Sequence, residues 1–190
     1  MFRQRGMKLP DGDVRLMDDV PSVAELTGLG AEIVSTAEPQ RLLDGMFHVS
    51  GEIPRVTSFE RGLPGQVRRT EDGAGWEPDE LLMDERWLAV NVKGKGLVVL
   101  SACSHAGIVN VLTHARASFP DLKLHAVLGG LHLSGTNEKI IPETVAAMKQ
   151  FGLARIGAGH CTGWRAMSAL AHAFGDDVLA PSAVGKRYWF

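Results

Sequence analysis

Leu97-Val-Val-Leu-Ser-Ala-Cys103-Ser-His105-Ala-Gly-Ile-Val-Asn110 is the stretch whose reading decides the fold. An apolar run of strand length, residues 97–100, gives way to small and polar residues. A helical pattern then takes over, with Ile108, Val111, Leu112, Ala115 and Phe119 at helical spacing. The same change recurs twice downstream. Residues 125–128 read as a strand leading into Gly129-Gly-Leu-His132-Leu133. The next helix is predicted over 138–151, with Pro142 in its first turn and Gly152 just past its end. Residues 155–158 read as a further strand leading into Gly157-Ala-Gly-His160-Cys-Thr-Gly-Trp164. There Thr162 is placed to cap a helix that carries Trp164, Met167, Leu170 and Phe174 on one face and stops at Gly175. Alternating strand and helix predicts an α/β sheet layered with helices. In such folds the strand ends open onto one shared edge, where ligands and metals bind. Each of these three strand ends carries a histidine.

Upstream, Trp87-Leu-Ala-Val-Asn-Val92 and residues 97–100 flank Lys93-Gly-Lys-Gly96, a hairpin signal. Residues 1–80 read as an irregular N-terminal segment with a short helix and strands, part of the same domain as the α/β stretch 81–190. Prolines 10, 21, 39, 54, 64 and 78 interrupt it. Ser22 and Glu25 make a capping-box pattern for a helix over 22–29, with Gly30 to stop it. Residues 32–35 are predicted as a short strand, and Leu43-Asp-Gly-Met-Phe-His-Val49 as a turn and strand. Residues 50–80 have little periodicity and read as a long loop, of the kind that is functional or disordered.

The bulk numbers narrow the function classes. A hydrophobic share of 45% over 190 residues, with 22% charged, suits one globular domain. A net charge of −2 gives no general attraction to nucleic acid or an anionic membrane surface. No apolar run reaches the ~18 residues of a membrane-spanning helix. The basic opening, from Met1 to Pro10, is followed by no apolar region and is not expected to be a secretory signal. The two cysteines, Cys103 and Cys161, point to a reducing compartment, and the cytoplasm is the expectation.

His105 and Cys103 at the first strand end pair an imidazole with a thiol, both good ligands for zinc or iron. The alternative is a histidine that satisfies a turn. His160 sits between flexible glycines and a helix start, whose positive end favours neutral imidazole and can also hold an anion. His132 between Leu131 and Leu133 lines the same edge or is a core histidine. His114, His125 and His172 read as structural or surface residues. In Ser50-Gly-Glu-Ile-Pro-Arg55, Glu52 is a candidate oxygen ligand or general base and Arg55 an anion clamp, with a structural ion pair as the alternative. Arg165, with Arg61, Arg68 and Arg69, is a further candidate for anion contact.

Taken together, Asp44-Gly-Met-Phe-His-Val-Ser-Gly-Glu-Ile-Pro-Arg55, Cys103-Ser-His-Ala-Gly-Ile-Val-Asn110, Gly129-Gly-Leu-His-Leu133 and Gly159-His-Cys-Thr-Gly-Trp164 resemble the metallo-β-lactamase superfamily. The branch they resemble is the C-terminal part of dihydropterin-methyl-ribofuranosylaminobenzene-phosphate synthase-like proteins. The resemblance implies an αββα sandwich with a metal site at the sheet edge. It makes His160 a metal ligand and places another ligand in the segment from Cys103 to His105. The remaining choice among Glu52, Cys103, His105 and His132 stays open. The implied cofactor is a divalent metal, zinc first, with iron or manganese as alternatives.

One departure stands out: the superfamily's H-x-H-x-D-H motif has no match here. The expectation is therefore a partial sandwich, mainly its C-terminal half, truncated relative to full-length members. Its open apolar face would favour a homo-oligomer or a partner chain completing the fold. The expected function is a metal-dependent hydrolase-like protein acting on a small anionic substrate, phosphorylated ones included, through a metal-activated water. The alternative is a non-catalytic relative serving as a binding or oligomerisation module.

Overall fold

The computed structural model describes residues 2–190; Met1, at the head of the basic opening, lies outside the described residues. In chain order the elements are β1 (Arg5–Lys8), β2 (Val14–Leu16), α1 (Val23–Gly28), β3 (Gln40–Leu42), β4 (Phe47–Val49), β5 (Gln66–Arg69) and β6 (Trp76–Pro78). They continue with β7 (Trp87–Val92), β8 (Gly96–Ser101), α2 (Ile108–Ser118), β9 (Leu124–Gly130), α3 (Ile141–Met148), β10 (Arg155–Gly159) and α4 (Trp164–Phe174). They form a mixed six-stranded sheet in the order β10-β9-β8-β7-β4-β3 and a four-stranded sheet in the order β2-β1-β5-β6.

The six-stranded sheet carries the core on one face. Registers align Ala89, Val99, Val127 and Ile156 in one row across four strands. All four are buried in one cluster with Ile108, Val111, Leu112 and Ala115 of α2, Met148 of α3 and Leu170 of α4. Burying a side chain the size of Leu112 contributes about 2 kcal/mol. Strand side chains alternate, so the next row, Leu88, Leu100, Leu128 and Gly157, faces the other way. Leu88, Leu100 and Leu128 are only half-buried and line a trough of about 760 Å³ on that face, with Leu42, Val49 and Tyr188.

The strand–turn–helix repeats of the second half form as read, with β8, β9 and β10 parallel. The capping box at Ser22 and Glu25 is present, and Gly30 follows α1 with φ +87°. Several expectations fail. Residues 32–35 join no sheet, and all but Ile33 are exposed. The helix read over 138–151 is α3 flanked by 3₁₀ turns at Gly135–Ile140 and Lys149–Phe151. Residues 50–80, read as a loop, contain β5 and β6. A further hairpin, β1 and β2, precedes α1. These strands are short and rich in charge, and ion pairs tie them: Arg5 to Asp79 at 2.6 Å and Asp84 at 2.7 Å, and Arg68 to Glu77 at 2.8 Å. Among the described residues no helix is long and apolar enough to cross a membrane.

Candidate metal centre at the sheet edge

The C-terminal ends of β8, β9 and β10 meet at one edge, and the chain leaves each through a left-handed residue that is not glycine. These are Ser104 at φ +60°, His132 at +49° and His160 at +51°. Each such residue costs about 1–3 kcal/mol, and backbone strain of this kind clusters at functional sites. Ser104 fastens the turns: its Oγ donates to Gly130 O at 2.7 Å and lies 2.8 Å from Ser101 Oγ. Thr162 is a fastener of the same kind. Its Oγ1 donates to Gly159 O at 2.6 Å and accepts from Leu131 N at 3.1 Å. It therefore does not cap α4, whose N-cap is Gly163 with no side-chain acceptor.

Two clusters result. In the first, Cys103 Sγ lies 3.0 Å from His160 Nε2, and Cys161 Sγ donates to the Cys103 carbonyl at 3.3 Å. The ligand atoms of Cys103, His160 and Cys161 all lie within 4.8 Å of one another. Burial, reinforced by the neighbouring Cys161, pushes the Cys103 thiol up to about 12. Without a cation it is a neutral thiol; a metal ion would displace the proton. Two sulfurs and an imidazole suit a borderline or soft ion such as zinc.

The second cluster is His105, His132 and Glu85. The two imidazole rings meet edge to face with centroids 4.5 Å apart. The Glu85 carboxylate accepts from His105 N at 2.7 Å and Ala106 N at 2.6 Å, and Oε1 lies 3.2 Å from His105 Nδ1. Burial alone would raise the Glu85 pKa, but these donors, His105 first, hold it below the usual carboxylate range. Both ring nitrogens of His132 are buried without a hydrogen-bond partner. Burial, then the nearby His105, holds its pKa down, so it is a neutral ring with two uncommitted nitrogens. Its unpartnered nitrogens, one a donor and one an acceptor, fit a group that is bound from outside the chain.

The loop that contains Glu52 and Arg55 supports this edge from below. Asn110 Oδ1 accepts from Val56 N at 2.9 Å and Thr57 N at 3.0 Å, tying the loop to α2. Glu52 itself is exposed; the buried acid of the loop is Glu60. Arg55 spends its guanidinium on carbonyls of Ile53, at 2.6 Å, and Leu81, while its Nε is buried and unpartnered. Arg165 is exposed, paired with Glu138 at 2.8 Å and lying over the Trp164 ring. The edge thus gathers His105, His132, His160 and Cys103. Neither Glu52 nor Arg165 is among the groups that touch the two clusters. Sequence reasoning did not place Glu85 or Glu60 here. Each is an acid in an irregular stretch, 20 and 49 residues from the amides it binds. Cys161 had a signal in its adjacency to His160.

No family model matches the chain. The 7,8-dihydropterin-6-methyl-4-(beta-D-ribofuranosyl)-aminobenzene-5'-phosphate synthase of Methanocaldococcus jannaschii is 33% identical over 155 residues, which is 80% of this chain and 51% of that protein. The chain thus spans about half the length of this curated relative. Among solved structures, Tm1679, described as a metal-dependent hydrolase of the β-lactamase superfamily, superposes with a TM-score of 0.77 at 22% identity. The match covers 97% of this chain and 66% of that one. The chain is thus similar in sequence to that synthase, and its fold, two sheets with four α-helices, is like that of this solved structure.

Proposed function

We propose that this chain is a metal-dependent hydrolase-like protein acting on a small anionic substrate, with phosphorylated compounds as the leading class. The observation that carries this reading is the convergence of Cys103, His105, His132, His160 and Cys161 at one strained sheet edge. A divalent ion there, zinc first, would lower the pKa of a bound water and polarise a phosphoryl or ester oxygen. The protein's part is to hold the donors. Glu85 holds His105 at Nδ1, which leaves Nε2 as the acceptor nitrogen of the ring. His132 stays neutral and can accept or pass a proton at either nitrogen. The phosphate named in the synthase relative supports an anionic substrate, and the metal-dependent neighbour supports hydrolysis.

The two free cysteines support a reducing, cytoplasmic setting. The half-buried row Leu88, Leu100 and Leu128 supports association through that face, by a second copy or by a partner chain. That trough also favours the second reading, a non-catalytic binding or oligomerisation module. The test is hydrolysis of phosphate and carboxylate esters by the reduced chain, metal-free and zinc-loaded, with the mass of the assembly measured alongside. Zinc-dependent turnover that is lost in His160→Ala supports the enzyme. Equal background rates with and without metal would reject it in favour of the module.

A further inference from the structure

We propose that Cys103, His160 and Cys161 form a three-donor site for a thiophilic divalent cation that is complete within this chain and keeps its fourth position open. The inference rests on the metal-dependent reading and narrows it. The ligands are two sulfurs and one imidazole, with His105 belonging to the neighbouring cluster instead.

The topology makes this meeting a built feature. Cys103 follows β8, while His160 and Cys161 follow β10, and β9 runs between them. Alternate strands of a sheet lie roughly 9.5 Å apart, too far for direct contact unless the middle strand is cleared. It is cleared at Gly130. A Cβ there would come within 2.7 Å of Cys161 Sγ, 2.7 Å of Ala102 O and 3.1 Å of His160 Cδ2. The absent side chain is what lets the donors close over the end of β9. Neighbouring residues of an extended chain point to opposite sides. The left-handed turn at His160, φ +51°, instead aims His160 and Cys161 at one place.

The donor chemistry then selects the ligand. Tetrahedral zinc with bonds of about 2.3 Å to sulfur and 2.0 Å to nitrogen needs donors roughly 3.5 Å apart. The present set lies within 4.8 Å, with the 3.0 Å contact between Cys103 and His160 opening slightly on binding. Sulfur donors favour zinc, cadmium or cobalt over magnesium, calcium or manganese. Two cysteines and a histidine with an open position is a set that catalytic zinc sites use. His160 is exposed and also lines the 760 Å³ trough, so the fourth position opens to solvent and to that apolar face. His105 lies outside this group of mutually close donor atoms, with its Nδ1 facing Glu85 and its ring against His132.

The experiment is a cobalt titration of the reduced, metal-free chain, reading the thiolate-to-cobalt charge-transfer band, with native mass spectrometry for stoichiometry. One ion per chain and a two-thiolate band are expected. Half that intensity and at least about tenfold weaker binding are expected in Cys161→Ser. Cadmium NMR on the unaltered chain counts sulfur ligands independently of any variant. An unchanged band in Cys161→Ser, a single-sulfur cadmium signal, or no bound cobalt would overturn the site. A two-thiolate band without ester hydrolysis would leave this site standing and remove the hydrolase. Metal-dependent hydrolysis without a thiolate band would do the reverse.

Discussion

The Glu60 carboxylate occupies the space that a side chain at Gly107 would need. A Cβ at Gly107 would lie 2.0 Å from Glu60 Cδ. Gly107 is the N-cap of α2 and offers no side-chain acceptor, so Glu60 replaces it from a distant loop. Its oxygens accept from Val109 N and Asn110 N, each at 2.8 Å, and from Thr57 Oγ1 at 3.0 Å. The helix that follows the Cys103–His105 turn is thus capped by the segment 52–60. Gly107→Ala meets both this collision and a φ of +92°. A loss of about 3 kcal/mol is expected in urea unfolding, with the m-value unchanged. A midpoint that does not move would show that Glu60 is not fixed there.

Glu85 holds two adjacent amides and one imidazole with a single carboxylate. Glu85→Ala leaves His105 N and Ala106 N without their acceptor, and a loss of about 3 kcal/mol is expected. Glu85→Asp, which keeps the charge but shortens the reach, should recover part of it. Hydrogen exchange at the amides of His105 and Ala106 is the direct check. Unaltered protection in Glu85→Ala would refute the arrangement.

His132 combines a left-handed backbone with an unpartnered ring. Asparagine tolerates that conformation better and is smaller. His132→Asn should therefore leave the protein as stable as before, or stabilise it by about 1 kcal/mol, while lowering any metal-dependent turnover. Thermal unfolding and turnover measured on the same preparation separate the two effects. A large loss of stability would make His132 a structural residue.

Acid should weaken the fold through the cluster around Trp87. Trp87 Nε1 donates to His114 Nδ1 at 3.3 Å, which requires that nitrogen to be unprotonated. Burial, then His48, holds the His114 pKa down, and burial, then Arg41, does so for His48. A depressed histidine makes the unfolded chain the stronger proton binder. Stability is then full above the ordinary histidine pKa of about 6.5 and declines as pH falls through it toward the depressed folded value. Denaturation midpoints and Trp fluorescence across that window test this. His48→Phe keeps the ring against Trp87 and Phe119 without titrating, and should flatten part of the slope. An identical slope in that variant would exclude His48.

The second half of the chain was legible because its information is local. In the turn from β8 to α2, the apolar run, the small residues and the 3.6-residue period all lie within about twenty positions. The N-terminal hairpins were not legible for the opposite reason. β1 carries Arg5, whose partners Asp79 and Asp84 are 74 and 79 residues away, and its strands are too short and charged to show a period of two. Glu60 and Glu85 look like any loop acid until the fold sets them under α2 and His105.

By itself, then, the sequence determined that three strands end in histidine-bearing turns, since hydrophobic period and turn chemistry act between near neighbours. It also carried the family resemblance. Only the tertiary structure decided which donors meet. Cys103 and His160 are 57 residues apart, and their contact depends on strand order, on the cleared end of β9 at Gly130 and on three left-handed turns. Those are properties of the assembled sheet, where burial in the core offsets the strain that each turn costs.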